Sequence, residues 1–217
     1  MERARRHFGL PSNPVSDVER PRPATRLEID VLAPEEVMQL VDAAASEQDA
    51  AIFLTAAFVG LRQGELIALR WQDVDFAGAT IRVTRAYTHE QLTMPKSGKS
   101  RAVPLAPDVA SRLRALHGAQ GQPAPSTLVF PGPAGSFMVA RLLGRRYLAA
   151  LERADLRRLR FHDLRHTFGT RMVGHVDLLE LREMMGHGSI TTTERYLHYK
   201  PRQEPAEKVA AAFKIAG

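Results

Sequence analysis

The sequence predicts an α+β domain that is mainly helical and carries a small antiparallel sheet on one edge. Residues 50–59 are almost entirely apolar, which indicates a helix buried in the core. Residues 79–86 alternate apolar and polar side chains, which is typical of a strand. From residue 107 onward the pattern is mainly helical. With 217 residues, of which 44% are hydrophobic, the chain can bury a sizeable core.

The predicted elements follow in order along the chain. A helix begins at Pro34, because proline suits the first helical position and Glu35 and Glu36 favour the positive end of the helix dipole. After the buried helix, another begins at Glu65. Strands are predicted over residues 79–86, 92–94 and 101–105, the last two completing a small sheet around the turn at Gly98. Further helices are predicted over residues 109–117, 139–154, 162–173, 178–184, 191–197 and 204–213.

The composition excludes several classes of protein. The chain has no cysteine, so disulfides and thiolate metal sites are excluded. No apolar run approaches the roughly 20 residues needed to span a bilayer, and the N-terminus lacks the hydrophobic stretch of a signal peptide. We therefore expect a cytoplasmic protein with no membrane partner.

Positive charge is concentrated in one segment. The formal net charge of the chain is +6. Residues 141–171 contain nine Arg, no Lys and three acidic residues, giving 9 − 3 = +6, so the rest of the chain balances. Such a local excess is typical of a surface that binds a polyanion. A solvated, Arg-rich helix face is the alternative explanation.

The segment from Phe161 to Tyr196 carries the densest set of chemically capable side chains. His162 and Arg165 are three residues apart in a predicted helix, so both can point at one small anion. Arg presents a planar charged fork that suits phosphate oxygens, and His donates hydrogen bonds and moves protons near neutral pH. Gly186-His187 follows after a helix-length gap, and nine residues beyond His187 lies Tyr196, a residue type that can hold a covalent phosphate.

Two upstream motifs add to this set. Residues 60–65 read Gly-Leu-Arg-Gln-Gly-Glu and place Arg62 near the carboxylate of Glu65. Residues 95–101 read Pro-Lys-Ser-Gly-Lys-Ser-Arg and predict a basic turn between two strands. Two Arg forks and His donors can stabilise the negative charge that builds on a reacting phosphodiester without a metal ion.

In this order the motifs resemble the catalytic domain of the tyrosine recombinases, the phage-integrase family of site-specific DNA recombinases. The resemblance runs from about residue 32 to about residue 198. Residues 60–66 match the family's arginine turn, Lys96 its hairpin lysine, and residues 162–166 its His-x-Leu-Arg-His motif. The family's Leu-Gly-His element appears with methionine substituted at residues 185–187, and Tyr196 matches its tyrosine.

The resemblance implies a transesterification that needs neither a metal ion nor another cofactor. Tyr196 attacks a DNA phosphate to give a 3′-phosphotyrosyl link and a free 5′-hydroxyl, and a partner strand's 5′-hydroxyl reverses the step. Arg62 and Arg165 clamp the phosphate, and His187 supplies a further hydrogen bond. His162 donates to the phosphate or accepts the tyrosine proton.

Other side chains take supporting roles in this interpretation. Lys96 protonates the leaving 5′-oxygen, with a plain contact to the DNA backbone as its alternative role and Lys99 as its substitute. Glu65 and His166 are expected to contact and orient the catalytic side chains without taking part in the reaction directly. The predicted DNA-binding residues are Lys99, Arg101, Arg141, Arg145, Arg146 and Arg160.

The only serious competitor of the predicted nucleophile is Tyr199. It lies three residues after Tyr196, on roughly the same face of the predicted helix. Spacing from His187 favours Tyr196. Tyr87 and Tyr147 lie outside any motif.

The chain is expected to divide at about residue 26. Residues 1–26 carry four prolines among Arg, Ser and Asn, which is typical of a linker. We expect them to be the end of a missing N-terminal DNA-clamping domain, which family members usually carry, and its linker. Residues 27–217 would form the catalytic domain, with a tail helix at about residues 203–214 that docks either on a neighbouring protomer or on its own domain.

The resemblance also implies partners and an origin. The partner is double-stranded DNA, and the full-length protein is expected to act as a tetramer on two DNA sites. The isolated domain is compatible with a monomer. A bacterial or phage-encoded protein of the cytoplasm is expected.

Three alternatives remain open at this point. His162 and His166 are four residues apart and could hold zinc in a metallohydrolase, although the intervening Arg165 would repel a cation. A non-catalytic DNA-binding accessory protein could keep the fold, although every motif position is filled. A type IB-like DNA topoisomerase shares the nicking chemistry without a partner duplex.

Overall fold

The structure of the protein, a computed structural model, describes residues 6–9, 29–94 and 100–199. The α-helices among residues 29–199 are α1 (Pro34–Asp42), α2 (Glu47–Val59), α3 (Gln63–Ile67), α4 (Pro107–Ala119), α5 (Ala140–Arg153), α6 (Asp163–Met172), α7 (Leu178–Met185) and α8 (Thr191–Glu194). The strands are β1 (Val74–Asp75), β2 (Thr80–Val83), β3 (Ala86–Thr88), β4 (Gln91–Thr93) and β5 (Arg101–Pro104). Short 3₁₀-helices cover Trp71–Asp73, Pro133–Gly135 and Leu197–Tyr199. In this part of the chain no helix is long and apolar enough to cross a membrane.

The predicted fold class is confirmed: the protein is mainly helical with small antiparallel sheets. Helix α2 lies at the centre, in contact with α1, α4 and α6. It is buried on almost every side, as its apolar sequence predicts. The side chain of Ser46 caps its first turn by accepting a hydrogen bond from the Asp49 amide at 3.2 Å. The helix therefore begins three residues earlier than the apolar run from residue 50.

The strands form two sheets, so the prediction of one sheet containing residues 92–94 and 101–105 is wrong. β1, β2 and β5 form an antiparallel sheet in which Ile81 lies opposite both Val74 and Val103. β4 instead pairs with β3 as a separate ribbon. The reason is the turn at His89 and Glu90, which both adopt positive φ angles and return the chain directly onto β3.

The β3–β4 ribbon packs closely on helix α3. A Cβ atom at Gly64 would lie 2.7 Å from the carbonyl oxygen of Tyr87, so only glycine allows this approach. The second glycine of the Gly-Leu-Arg-Gln-Gly-Glu motif therefore serves packing. It fixes the ribbon beside the turn that carries Arg62.

Helix α8 is shorter than the predicted helix over residues 191–197. It ends at Glu194, and the amide of Tyr196 donates to the carbonyl oxygen of Thr193 at 3.0 Å, in a tighter turn than an α-helix. A 3₁₀-helix, Leu197–Tyr199, follows. Tyr196 and Tyr199 therefore both lie after the end of the α-helix, and not within one continuous helix as predicted.

Several predictions fall outside the described residues. They concern the linker over most of residues 1–26, the turn at Gly98 with Lys96 and Lys99, and the tail helix at about residues 203–214.

Gly60 ends α2 and should be sensitive to substitution. Its φ of +69° is left-handed, and an added Cβ would lie 2.4 Å from the ring of Phe168. We expect Gly60→Ala to lower the free energy of unfolding by more than about 1 kcal/mol in urea denaturation. Gly118→Ala is the matched control, since Gly118 lies in α4 with no atom near an added Cβ, and it should raise stability by up to about 1 kcal/mol. Equal effects of the two variants would contradict the account of Gly60.

Candidate active site

The separated motifs meet at one open cavity of about 370 Å³. Five of the six predicted catalytic residues line it; the sixth, Lys96, lies outside the described residues. Among the described residues, three arginines and no carboxylate contribute to its wall. The lining residues are Arg62, His162, Arg165, His166, Gly186, His187, Gly188, Thr192, Arg195 and Tyr196.

A buried carboxylate lies behind the cavity and joins two arginines. Glu65 is 2% exposed. It accepts hydrogen bonds from the amide and the Nη1 atom of Arg62, at 2.8 and 2.9 Å. It also accepts two from the guanidinium of Arg101, at 3.0 and 2.7 Å. Burial would raise the pKa of Glu65, but these hydrogen bonds and charges lower it below its ordinary value, so the group stays ionised. We call Arg62, Glu65 and Arg101 the Glu65 cluster.

The side chain of Arg101, a predicted DNA-binding residue, lies in the protein interior and not on the surface. The side chain of Arg101 is only 9% exposed. Its guanidinium is directed inward, where its remaining nitrogen, Nε, donates to the carbonyl oxygen of Met184 at 2.8 Å. The position of Arg101 after a basic turn suggested a surface contact, but Glu65 provides a buried partner that the sequence pattern did not identify.

Arg165 is a buried cation whose hydrogen-bond partners in the described structure are backbone carbonyl oxygens. It is 2% exposed, and its guanidinium donates to the carbonyl oxygens of Gly60, at 2.5 Å, and Met185. In the described part of the chain no carboxylate lies within ion-pair distance of it. Burial, followed by the positive charge of Arg62, lowers the pKa of Arg165 to about 9. It remains charged at neutral pH, and an anion in the cavity would stabilise that charge.

The connection after α7 brings His187 to the cavity. The helix ends at Gly186, whose φ of +60° is left-handed, and Arg62 donates to the Gly186 carbonyl oxygen at 2.7 Å. The Nδ1 atom of His187 lies 2.9 Å from the hydroxyl oxygen of Thr193. Burial and the nearby charge of Arg165 lower the pKa of His187 to about 3, so the ring is neutral. Its Nδ1 contact leaves Nε2 to act on a ligand.

Tyr196 lies against helix α6 with its ring enclosed. The residue is 1% exposed, and its hydroxyl oxygen is 2.8 Å from Nδ1 of His166. The ring rests on the backbone at Gly169, where an added Cβ would lie 2.5 Å from the phenol carbon Cζ. Burial raises the pKa of Tyr196 to about 12, against the lowering effect of Arg165 and Arg195. The phenol is therefore protonated and needs a proton acceptor to become a nucleophile.

The histidine in contact with the Tyr196 hydroxyl is His166, whereas His162 was the predicted acceptor of the tyrosine proton. His162 is exposed, lines the cavity and packs edge-on against His166 with ring centroids 5.0 Å apart. His166, predicted only to support the site, contacts the Tyr196 hydroxyl directly. Burial and the charge of His162 lower the pKa of His166 to about 4, and a neutral ring can accept a proton. Over the ranges that the structure covers, no group of three His, Cys, Asp or Glu residues could hold a metal ion.

The basic segment is partly neutralised by the fold. Arg146 pairs with Asp49 at 3.2 Å, and Arg160 pairs with Asp163 at 2.8 Å. Arg157 pairs with both Asp30 and Glu36. Arg141 and Arg145 are exposed, and no described acidic residue pairs with either. Among the predicted DNA-binding residues that the structure describes, these two are therefore the most available.

Sequence reasoning missed three contributors to the site: Thr193, Gly169 and Arg195. Thr193 orients His187, Gly169 makes room for the Tyr196 ring, and Arg195 lines the cavity. The adjacency of Arg195 to the predicted nucleophile was a usable signal. No comparable signal marked Gly169, a glycine within a predicted helix, or Thr193, which lies in a run of polar residues.

The chain is similar to known proteins along most of its length. Residues 30–203 match the profile of the phage integrase family. A tyrosine recombinase XerC of Xanthomonas campestris pv. campestris is 31% identical over 199 residues, which cover 89% of this chain and 58% of the relative. A tyrosine recombinase XerC-like protein of Caldanaerobacter subterraneus subsp. tengcongensis is 29% identical over 213 residues, covering 85% and 54%. The chain therefore spans little more than half the length of these curated relatives.

A solved structure supports the same fold. The Tn1549 transposon integrase in complex with transposon right end DNA has a TM-score of 0.70 to this protein. Sequence identity is 20%, and the match covers 93% of this chain and 70% of the integrase chain.

The neutral histidines predict a loss of stability on mild acidification. The pKa values of His166 and His187 are lowered to about 4 and about 3, below the ordinary 6.5. Between those values the unfolded chain binds protons that the folded protein does not, so the free energy of unfolding should fall as the pH decreases from about 7 to about 4.5. Urea denaturation at several pH values measures this slope. His187→Asn should reduce it; equal stability at pH 7 and pH 5 would contradict the prediction.

Proposed function

We propose that this chain, which belongs to the phage integrase family, cuts and rejoins DNA strands through a covalent bond between Tyr196 and a DNA phosphate, as part of a site-specific recombinase. The observation that carries the proposal is the excess of positive charge at the cavity. Arg62, Arg165 and Arg195 line it, and Glu65 is the one carboxylate that pairs with a lining arginine in the described structure. A cavity of this charge suits a phosphodiester and its more negative transition state.

The proposed reaction is a metal-independent transesterification. The Tyr196 oxygen forms a bond to phosphorus while the bond from phosphorus to the 5′-oxygen breaks. Arg62 and Arg165 bind the non-bridging oxygens, and His162 and His187 donate further hydrogen bonds. His166, 2.8 Å from the phenol oxygen, is placed to take its proton. Lys96 is proposed to protonate the leaving 5′-oxygen.

The enclosed phenol adds a conformational requirement. In this structure Tyr196 is 1% exposed, so its oxygen is covered as well as protonated. We propose that the short, tight turn after α8 rotates to present the hydroxyl to a bound phosphate. Only that turn and the following 3₁₀-helix need to move, since Glu194 ends the α-helix.

The substrate proposal follows from the charge distribution and the relatives. Arg141 and Arg145 on α5 are exposed cations that can bind DNA phosphates. The matched relatives are named tyrosine recombinases, and the Tn1549 integrase was solved with DNA. A type IB-like topoisomerase or an accessory protein is not favoured by these similarities.

The organisation of the whole protein is also proposed. We propose residues 1–26 as a linker that follows a DNA-clamping domain, and residues 27–217 as the catalytic domain with its tail helix. A tetramer on two DNA sites is the proposed active assembly. A single catalytic domain without the clamping domain is expected to bind DNA as a monomer, weakly and with little sequence preference.

Covalent trapping tests the nucleophile. On a nicked suicide substrate that carries the target site, the protein should accumulate a 3′-phosphotyrosyl adduct in the presence of a chelator. Tyr196→Phe should keep DNA affinity, because only a hydroxyl is lost, and should give no adduct. Arg165→Lys should slow adduct formation roughly a hundredfold or more, because an ammonium cannot replace the two-pronged guanidinium contact.

Tyr199→Phe is the matched control for the adduct. It should form the adduct at the wild-type rate, and peptide mapping should place the DNA on Tyr196. An adduct on Tyr199, or trapping that persists in Tyr196→Phe, would overturn the assignment. The reaction requires that the protein recognises its DNA target site. The substrate must therefore carry the native target sequence, and the experiment must use the full native chain of the protein.

The salt dependence of binding tests the DNA surface. Each phosphate contact contributes a slope of about one to the plot of log affinity against log salt concentration. We expect Arg141→Gln and Arg145→Gln each to lower that slope by about one in fluorescence anisotropy titrations. Arg112→Gln is the control, since Arg112 lies on α4 and pairs with Glu47 at 3.0 Å. Affinity that does not change with salt would contradict the proposed surface.

A further inference from the structure

We infer that Arg101 is a positioning residue of the active site. Its buried guanidinium holds the phosphate-binding Arg62 and the Gly186-His187 connection in fixed positions relative to each other, without touching the substrate. This inference rests on the proposed function and assigns a role in it to a residue outside the predicted catalytic set. Three separate contacts carry it.

The first contact fixes the orientation of Arg62. Arg101 donates from Nη1 and Nη2 to the two oxygens of Glu65, at 3.0 and 2.7 Å. The same two oxygens accept from Nη1 and the amide of Arg62. Since Glu65 is held on both sides, its carboxylate plane cannot rotate without breaking several charge-assisted hydrogen bonds. Arg101 therefore determines where Glu65 presents its oxygens to Arg62.

The second contact reaches the end of α7. The Nε atom of Arg101 donates to the carbonyl oxygen of Met184 at 2.8 Å. Arg62 donates to the carbonyl oxygen of Gly186, two residues further on, and Arg165 to that of Met185. Three arginines thus satisfy three consecutive carbonyl groups at this helix terminus, where intrahelical partners are missing. His187 follows directly, so its position depends on this set of bonds.

The third contact is steric. Gly186 is so close to Arg101 that an added Cβ would lie 2.9 to 3.1 Å from three atoms of the guanidinium group. The positive φ of Gly186 also favours glycine. The missing side chain leaves room for the guanidinium plane between α3 and the end of α7. The Gly-His pair of the motif therefore needs its glycine for Arg101 as well as for the turn.

Only a guanidinium group can make all of these bonds. It offers five N–H donors in a fixed plane, and Arg101 uses donors on all three of its nitrogens in different directions. A lysine ammonium is a single point and cannot reach both Glu65 oxygens and the Met184 carbonyl together. Because its side chain is 9% exposed, a direct role of Arg101 in phosphate binding does not fit the geometry.

Arg101→Lys tests the inference in the full native chain. At saturating suicide substrate we expect the rate of adduct formation to fall at least tenfold, with DNA affinity and its salt slope unchanged within about twofold. In the DNA-free protein at pH 5, nitrogen NMR should show His187 neutral in the wild type and partly protonated in the variant, because the released connection exposes the ring. Arg112→Lys is the control: Arg112 pairs with Glu47, neither residue lines the cavity, and the variant should change none of these quantities.

The possible outcomes separate the two hypotheses. An unchanged adduct rate in Arg101→Lys overturns the positioning role, and a salt slope reduced by about one identifies a phosphate contact instead. If the wild type gives no adduct, the proposed function fails, and the NMR measurement still tests the position of His187. Should Arg101→Lys not fold, Gly186→Ala displaces the same guanidinium from the other side. It should slow adduct formation and protonate His187 in the same way; normal behaviour of Gly186→Ala would overturn the inference.

Discussion

The structure of the site depends on one buried carboxylate. Glu65 is held between Arg62 and Arg101, and the four hydrogen bonds that it accepts connect the turn after α2 to the sheet. The two arginines then bind carbonyl groups at the end of α7. A single ionised group of low exposure thereby fixes elements that are more than 100 residues apart in sequence, since Arg62 and Gly186 are separated by 124 residues. Removing one partner of such a network would leave an uncompensated buried charge.

The same network leaves the cavity with more positive than negative charge, and this excess acts together with burial on the pKa values of the other titratable groups. Burial and the arginines lower the pKa values of His166 and His187 well below neutrality, so both rings are neutral hydrogen-bonding groups. Burial raises the pKa of Tyr196 to about 12, while Arg165 acts in the opposite direction. The charges thus favour an incoming phosphate, whereas the phenol is protonated in this structure.

Local patterns predicted the helices well because their signals are local. The apolar run at residues 50–59, the proline at position 34 and the alternation at residues 79–86 each specify an element through its own periodicity or capping. The pairing of strands was predicted wrongly, because it depends on which residues adopt positive φ in the turn at His89 and Glu90. Neither is glycine, so no local sequence signal indicated that turn.

By itself the sequence determined the fold class, the family and five residues that do meet at one cavity, because phosphate chemistry restricts the residue types and their order along the chain. Tertiary structure alone decided how those residues are partnered. It directed Arg101 inward to Glu65, placed His166 rather than His162 beside Tyr196, and used Gly169 to enclose the phenol ring. The physical reason is that hydrogen-bond partners, burial and close approaches arise between segments distant in sequence, and no local pattern records them.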